Sequence, residues 1–96
     1  MEFVIIGYDG KDEGALERRL SVREAHLQNA KKMFQSGRLL FASALLDDNE
    51  NMNGSIMFCN FDSEEELRTE WLDNEPYITG KVWDKVIVKR AKIAKH

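Results

Sequence analysis

The chain has two histidines, His26 and the terminal His96, so proton transfer near neutral pH would have to centre on His26. His26 stands three residues after Arg23 and one before Leu27, at the border of the apolar stripe of a helix-forming segment. From spacing alone a histidine at the edge of the core is the simpler reading, and an imidazole facing a cleft is the alternative. An acid/base histidine needs a group that fixes its tautomer, and the eligible carboxylates are Glu75, Asp73, Asp84, Asp47 and Asp48. Spacing does not choose among them. Glu75-Pro76-Tyr77 is the most distinctive, because an acid, a backbone-fixing proline and a phenol follow one another, although a plain helix-stop corner explains it equally well.

Arg18, Arg19 and Arg23 place three guanidiniums near a predicted helix start, where free N–H groups would add to the attraction for a small anion. Surface ion pairs are the simpler explanation. Cys59, inside Met57-Phe58-Cys59-Asn60-Phe61, reads as a small buried apolar residue more than as a nucleophile. Neither glycine-rich phosphate-loop pattern occurs and no ligand spacing for a metal is visible, so no metal and no cofactor are expected.

The elements that must position these groups follow from the hydrophobic pattern. Phe3–Tyr8 is β-branched and aromatic and runs into an Asp/Gly turn, which predicts a first strand. Ala15–Ser36 is rich in helix formers, with Leu20, Leu27, Ala30 and Phe34 on one face and Gly37 as the stop. Ser21-Val22-Arg23-Glu24 has the form of a capping box, so the expectation is a short lead-in turn and a main helix starting near Val22. Leu39–Leu46 and Ser55–Phe61 read as two strands of a hairpin across a polar turn. Ser63-Glu64-Glu65-Glu66 opens a second helix that buries Leu67, Trp71 and Leu72 and ends before Pro76. Val82–Arg90 alternates as a last strand, with Trp83, Lys85, Ile87 and Lys89 on one side.

The order β-α-β-β-α-β predicts an α+β, ferredoxin-like fold, with two helices on one face of a four-stranded antiparallel sheet. Both faces of that sheet are apolar: Phe3 and Ile5 oppose Val4, Ile6 and Tyr8, and Ile56 and Phe58 oppose Met57, Cys59 and Phe61. Helices cover one face, so the other is expected to pack on a second copy, giving a homodimer of face-to-face sheets. Trp71 and Trp83 are expected as core or interface anchors.

Ninety-six residues suit one domain over 1–96, and 43% hydrophobic with 32% charged residues places it among ordinary globular proteins. A net charge of −3 argues against nucleic-acid or anionic-membrane binding, since both need a strong positive field. The basic residues after Lys81 read as a solvated face and a frayed tail that includes His96. No apolar run approaches the length of a membrane span, Met1 leads into a strand without a signal-peptide pattern, and a lone cysteine fits a reducing cytoplasm.

Leu16-Glu17-Arg18-Arg19-Leu20-Ser21-Val22-Arg23-Glu24-Ala25-His26-Leu27, then Gly37-Arg38-Leu39-Leu40, strongly resembles the YciI-like (YCII-related) family. Gly54-Ser55, Phe61-Asp62-Ser63 and Glu75-Pro76-Tyr77 agree with it, the last standing where the family usually has Asp-Pro-Tyr or Asp-Pro-Phe. The resemblance implies a dimeric α+β barrel and a His–carboxylate pair lining a pocket between helix and sheet. By position His26 is the implied acid/base and Glu75 its carboxylate, with Arg23 and Tyr77 at substrate-binding positions; Arg19 and Ser43 are the further substrate-binding candidates. One branch of the family resembles lyases that remove chloride from chlorinated hydroxyquinols. The expectation is therefore a lyase-like enzyme acting on a small anionic or phenolic molecule, with a non-catalytic ligand-binding or partner-binding dimer as the alternative. Three departures bear on the pocket: Glu75 is one methylene longer than Asp, Ala42-Ser43-Ala44 replaces Ala-Gly-Pro, and the glycine after the turn comes one residue early, at Gly80.

Overall fold

A computed structural model describes residues 1–95; the expectation of a frayed end at His96 lies outside the described residues. The chain forms β1 (Glu2–Asp9), α1 (Ala15–Gln35), β2 (Leu39–Leu46), β3 (Met52–Asn60), α2 (Glu64–Glu70), a single 3₁₀ turn (Leu72–Asn74), α3 (Pro76–Thr79) and β4 (Trp83–Ala91). All strand pairs are antiparallel in the order β2-β3-β1-β4, which is the ferredoxin-like arrangement the element order implies. β3 begins three residues earlier than the Ser55 expected, because Gly54 pairs with Tyr8 and continues the ladder.

The expected split of the first helix does not occur. Ser21 Oγ donates to the Arg18 carbonyl at 2.7 Å, so the hydroxyl bonds back into a continuous helix and caps nothing. At the C-terminal end Gly37 takes φ +80°, and the Arg38 N–H reaches the Met33 carbonyl at 2.9 Å, closing a Schellman motif that only a residue tolerant of positive φ terminates cheaply.

The helix is also rotated relative to the expected face. Leu20, Leu27 and Phe34 are 53%, 46% and 46% exposed, and the residues buried against the sheet are Ala15, Arg19, His26, Ala30 and Met33. Those five keep helical periodicity, so the stripe is genuine. It is simply not the most apolar one, and it carries Arg19 and His26 into the interior.

The second helical region is three pieces. Ser63 caps α2 through its side chain, which accepts from the Glu66 N–H at 3.1 Å, and Leu67, Trp71 and Leu72 are buried as the pattern requires. Beyond the 3₁₀ turn, Pro76 opens α3 at its first position, where a missing N–H costs nothing. The turn that follows is not closed by Gly80, whose φ is −85°; Lys81 adopts the left-handed conformation at φ +57°, at a cost of about 1 kcal/mol for a residue with a Cβ.

The core lies between the helices and the inner sheet face, where Phe3, Ile5, Met57, Cys59, Leu67, Leu72, Tyr77 and Val82 are almost wholly buried. A bulge between Tyr8 and Asp9 shifts β4, so Trp83 shares the inner side with Val86 and Val88 and not with Lys85 and Ile87 as strict alternation predicts. The indole of Trp83 lies on Gly7, where a built Cβ would come within 2.4 Å of the ring. The outer face carries Val4, Ile6, Ile56, Phe58 and Ile87 half-buried and Tyr8 and Phe41 exposed, with no helix over it.

Candidate functional site

Glu75 sits between the 3₁₀ turn and α3 with an extended backbone, as the N-cap of α3. Its side chain bends back to accept the Tyr77 N–H at 3.3 Å through Oε1, while Oε2 accepts the Trp71 indole N–H at 2.9 Å. Oε1 also pairs with His26 Nδ1 across the packed α1/α3 boundary. With 1% of its surface exposed, this carboxylate is held entirely by protein donors. Since Glu75 already serves as acceptor to two other N–H groups, His26 Nδ1 is the donor in the pair. The lone pair is then on Nε2, which has no hydrogen-bond partner among the described residues, and His26 lines a cleft. Of the carboxylates open at the sequence level, Asp47, Asp48, Asp73 and Asp84 are all exposed, so geometry selects Glu75.

Tyr77 joins this pair to a second one. Its ring is stacked on His26, with centroids 4.0 Å apart and planes 12° from parallel, and the Arg19 guanidinium lies over it at 4.6 Å. Trp83 meets its edge at 5.6 Å. Arg19 in turn donates from Nη1 to Asp9 Oδ1 and Oδ2 at 3.0 and 3.2 Å and from Nη2 to Ser55 Oγ at 2.8 Å. Arg19 Nε is buried without a partner. Burial pushes the Asp9 carboxyl above its ordinary range, the adjacent Arg19 opposing it; burial likewise raises the Tyr77 phenol, with Arg19 and Arg23 pulling it down. A raised phenol stays protonated at neutral pH and so remains a hydrogen-bond donor.

His26, Tyr77, Arg19 and Ser55 line a cleft of about 100 Å³ between α1 and the β2/β3 edge, together with Arg23, Leu27, Ala42, Ser43, Ala44, Met52 and Met57. Arg23 is exposed on the rim and makes no ion pair among the described residues, which leaves its guanidinium available to an anion. Arg18 is not part of the cleft: it forks onto Asp12 at 2.7 and 2.8 Å on the surface. Ser43 pairs with Ile56 and therefore projects toward the outer face; it borders the cleft between Ala42 and Ala44, which share the inner side with Met57 and Ser55. Cys59 is buried, its thiol pushed up to about 12 by desolvation, which leaves it without thiolate character at neutral pH.

Asp9 and Ser55 were not candidates from sequence, although Asp9 continues the inward phase of Phe3, Ile5 and Gly7, a signal that an acid at the end of that strand faces inside. Trp71 was expected as an anchor, and nothing in the sequence indicated that its N–H would meet Glu75.

A ferredoxin-like sheet with a buried histidine–carboxylate pair beside a cleft of its inner face defines a small α+β protein with a site between helix and sheet. The chain belongs to the YCII-related family: the profile of the YCII-related domain matches residues 1–92. Protein YciI of Escherichia coli O6:H1 is 37% identical over 96% of this chain and 97% of its own length. Among solved structures, 5-chloro-2-hydroxyhydroquinone dehydrochlorinase (TftG) from Burkholderia phenoliruptrix AC1100, in complex with 2,5-dihydroxybenzoquinone, is similar with a TM-score of 0.82 and 23% identity, covering 98% of this chain and 96% of that one. A dimeric ferredoxin-like protein from an uncultured marine organism is similar with a TM-score of 0.59 at 14% identity, over 99% of this chain and 92% of that one. No helix among the described residues is long and apolar enough to cross a membrane.

Proposed function

We propose that the chain is a lyase-like acid/base protein in which His26 moves a proton on a small anionic or phenolic molecule bound in the α1/sheet cleft. The observation that carries this reading is the buried Glu75–His26 contact, which fixes the imidazole through Nδ1 and leaves Nε2 free at the cleft. Glu75 stabilises the imidazolium that forms when Nε2 takes a proton. Arg23 attracts the anion at the rim, and the Tyr77 phenol supplies a hydrogen bond beside the imidazole. In an elimination, Nε2 accepts the substrate proton while the leaving anion departs with the bonding pair. The similarity to a dehydrochlorinase bound to a one-ring dihydroxyquinone supports that chemical class.

The test is calorimetric titration of 2,5-dihydroxybenzoquinone into the wild type, Arg23→Ala and His26→Gln. Binding to the wild type is expected, with a loss of about tenfold or more in each variant, the scale of a hydrogen bond to a charged group. Wild-type binding that both variants retain would instead favour the non-catalytic dimer with a structural His26, and absence of binding would remove this chemical class.

We infer further that the outer sheet face, with its unpartnered Val4, Ile6, Phe41, Phe58 and Ile87, packs on a second copy of the chain. The similar protein described as a dimeric ferredoxin-like protein supports this assembly. Sedimentation equilibrium should give twice the 11.1 kDa chain mass, and Phe58→Glu should return it to one; a wild-type monomer would contradict the inference.

A further inference from the structure

We propose that Trp71 is a positioning residue for the His26–Glu75 pair, its indole N–H setting the orientation of the carboxylate that in turn sets the imidazole. The inference rests on the acid/base reading of that pair. A glutamate has three side-chain torsions, and nothing in its covalent structure aims either oxygen at His26. Oε1 serves both His26 Nδ1 and the Tyr77 N–H, whereas Oε2 has a single donor among the described residues, Trp71 Nε1 at 2.9 Å. Releasing that donor frees the carboxylate to turn about its last bond, carrying Oε1 away from Nδ1.

Trp71 is itself fixed. It is 4% exposed, and its indole stacks parallel to Phe61 with centroids 6.2 Å apart and planes 3° from parallel. Arg38 covers Phe61 at 4.8 Å and is tied to Glu66 and Glu70 at 2.9 and 2.6 Å. Trp71 lies four residues before Glu75, where α2 ends, and the 3₁₀ turn between them folds the chain back so that indole and carboxylate meet. Both groups are buried and the acceptor is a carboxylate, the conditions under which one N–H donor has most effect. A residue whose only role was packing would need the ring and not its N–H.

Solution NMR of the ¹⁵N-labelled full chain separates the two. The Trp71 indole proton should exchange with water about a hundredfold or more slower than a free indole, and fast exchange overturns the role even where no variant folds. In Trp71→Phe, which keeps a stacking ring and loses the donor, the His26 Nδ1 proton should exchange about ten- to a hundredfold faster than in the wild type. Phe61→Leu, which loosens the stack and keeps the donor, should leave that rate within about twofold. An unchanged rate in Trp71→Phe, or equal acceleration in Phe61→Leu, overturns the positioning role and leaves the His26–Glu75 pair standing. A wild type with no His26 Nδ1 proton shared with Glu75 overturns the pair, and the role of Trp71 with it.

Discussion

Replacing Glu75 by alanine should destabilise the protein by about 3 kcal/mol or more, since each buried donor left without its acceptor costs roughly 1–3 kcal/mol. His26 Nδ1, Trp71 Nε1 and the Tyr77 N–H would all lose their acceptor in a place water does not reach. For a domain near 100 residues each kcal/mol shifts the melting temperature by roughly 4–8 °C, so thermal unfolding reads the effect directly. A fall of only a few degrees would mean that the carboxylate is not held as described. Glu75→Gln should separate stability from chemistry. The amide oxygen still accepts from Trp71, and the loss is smaller, but the amide nitrogen now donates toward Nδ1 and drives the ring proton to Nε2, which can no longer act as a base.

Arg19→Met carries the second large effect, and its size should depend on pH. At neutral pH the substitution leaves the buried Asp9 carboxyl without its cation, so it must either stay charged or take up a proton, for up to about 3–5 kcal/mol. Asp9 is raised by burial even in the wild type, with Arg19 the main opposing influence, so removing Arg19 raises it further. The folded variant then holds a proton that the unfolded chain has released. A raised folded value contributes stability that is fully present below the ordinary 3.8 and lost as pH rises through the folded value. Chemical unfolding of both proteins should therefore show the wild-type advantage widening from about pH 4 to pH 7. A constant difference would contradict the assignment of Asp9 as the buried partner.

The two pairs also explain what the sequence could and could not reveal. Shared faces on β1 and β3 were legible because period-two alternation is local: Phe3 with Ile5, and Met57 with Cys59, follow from the pattern alone. Both faces being apolar left open which one meets the helices, and the bulge beside Asp9 put Trp83 on the other side of β4 from the one expected. Ser63 marked the start of α2 because it too acts on its own backbone neighbours, whereas Pro76, expected only as a stop, opens α3 after α2 has already ended at Glu70. The rotation of α1 was not legible. Leu20, Leu27 and Phe34 form the more apolar line, yet the sheet receives Arg19 and His26, because Asp9, Ser55 and Glu75 supply the partners that make those polar groups buriable. Those partners are ten, 36 and 49 residues away in sequence, beyond any periodicity. The family resemblance singled out His26, Glu75, Arg23 and Tyr77 by position; His26, Arg23 and Tyr77 line one cleft, and Glu75 contacts His26 without lining it. The extra methylene of Glu75 does not break the contact with His26, since the side chain folds back over its own N-cap and is held there from both oxygens.

In the proposed acid/base role, Glu75 holds the proton of neutral His26 on Nδ1 and leaves Nε2 bare at the cleft. Long-range ¹H–¹⁵N correlation of the His26 ring, at a pH where the imidazole is neutral, reads this directly. A protonated Nδ1 and an unprotonated Nε2 are expected in the wild type, with the pattern reversed in Glu75→Gln. A wild-type ring protonated on Nε2 would contradict that role.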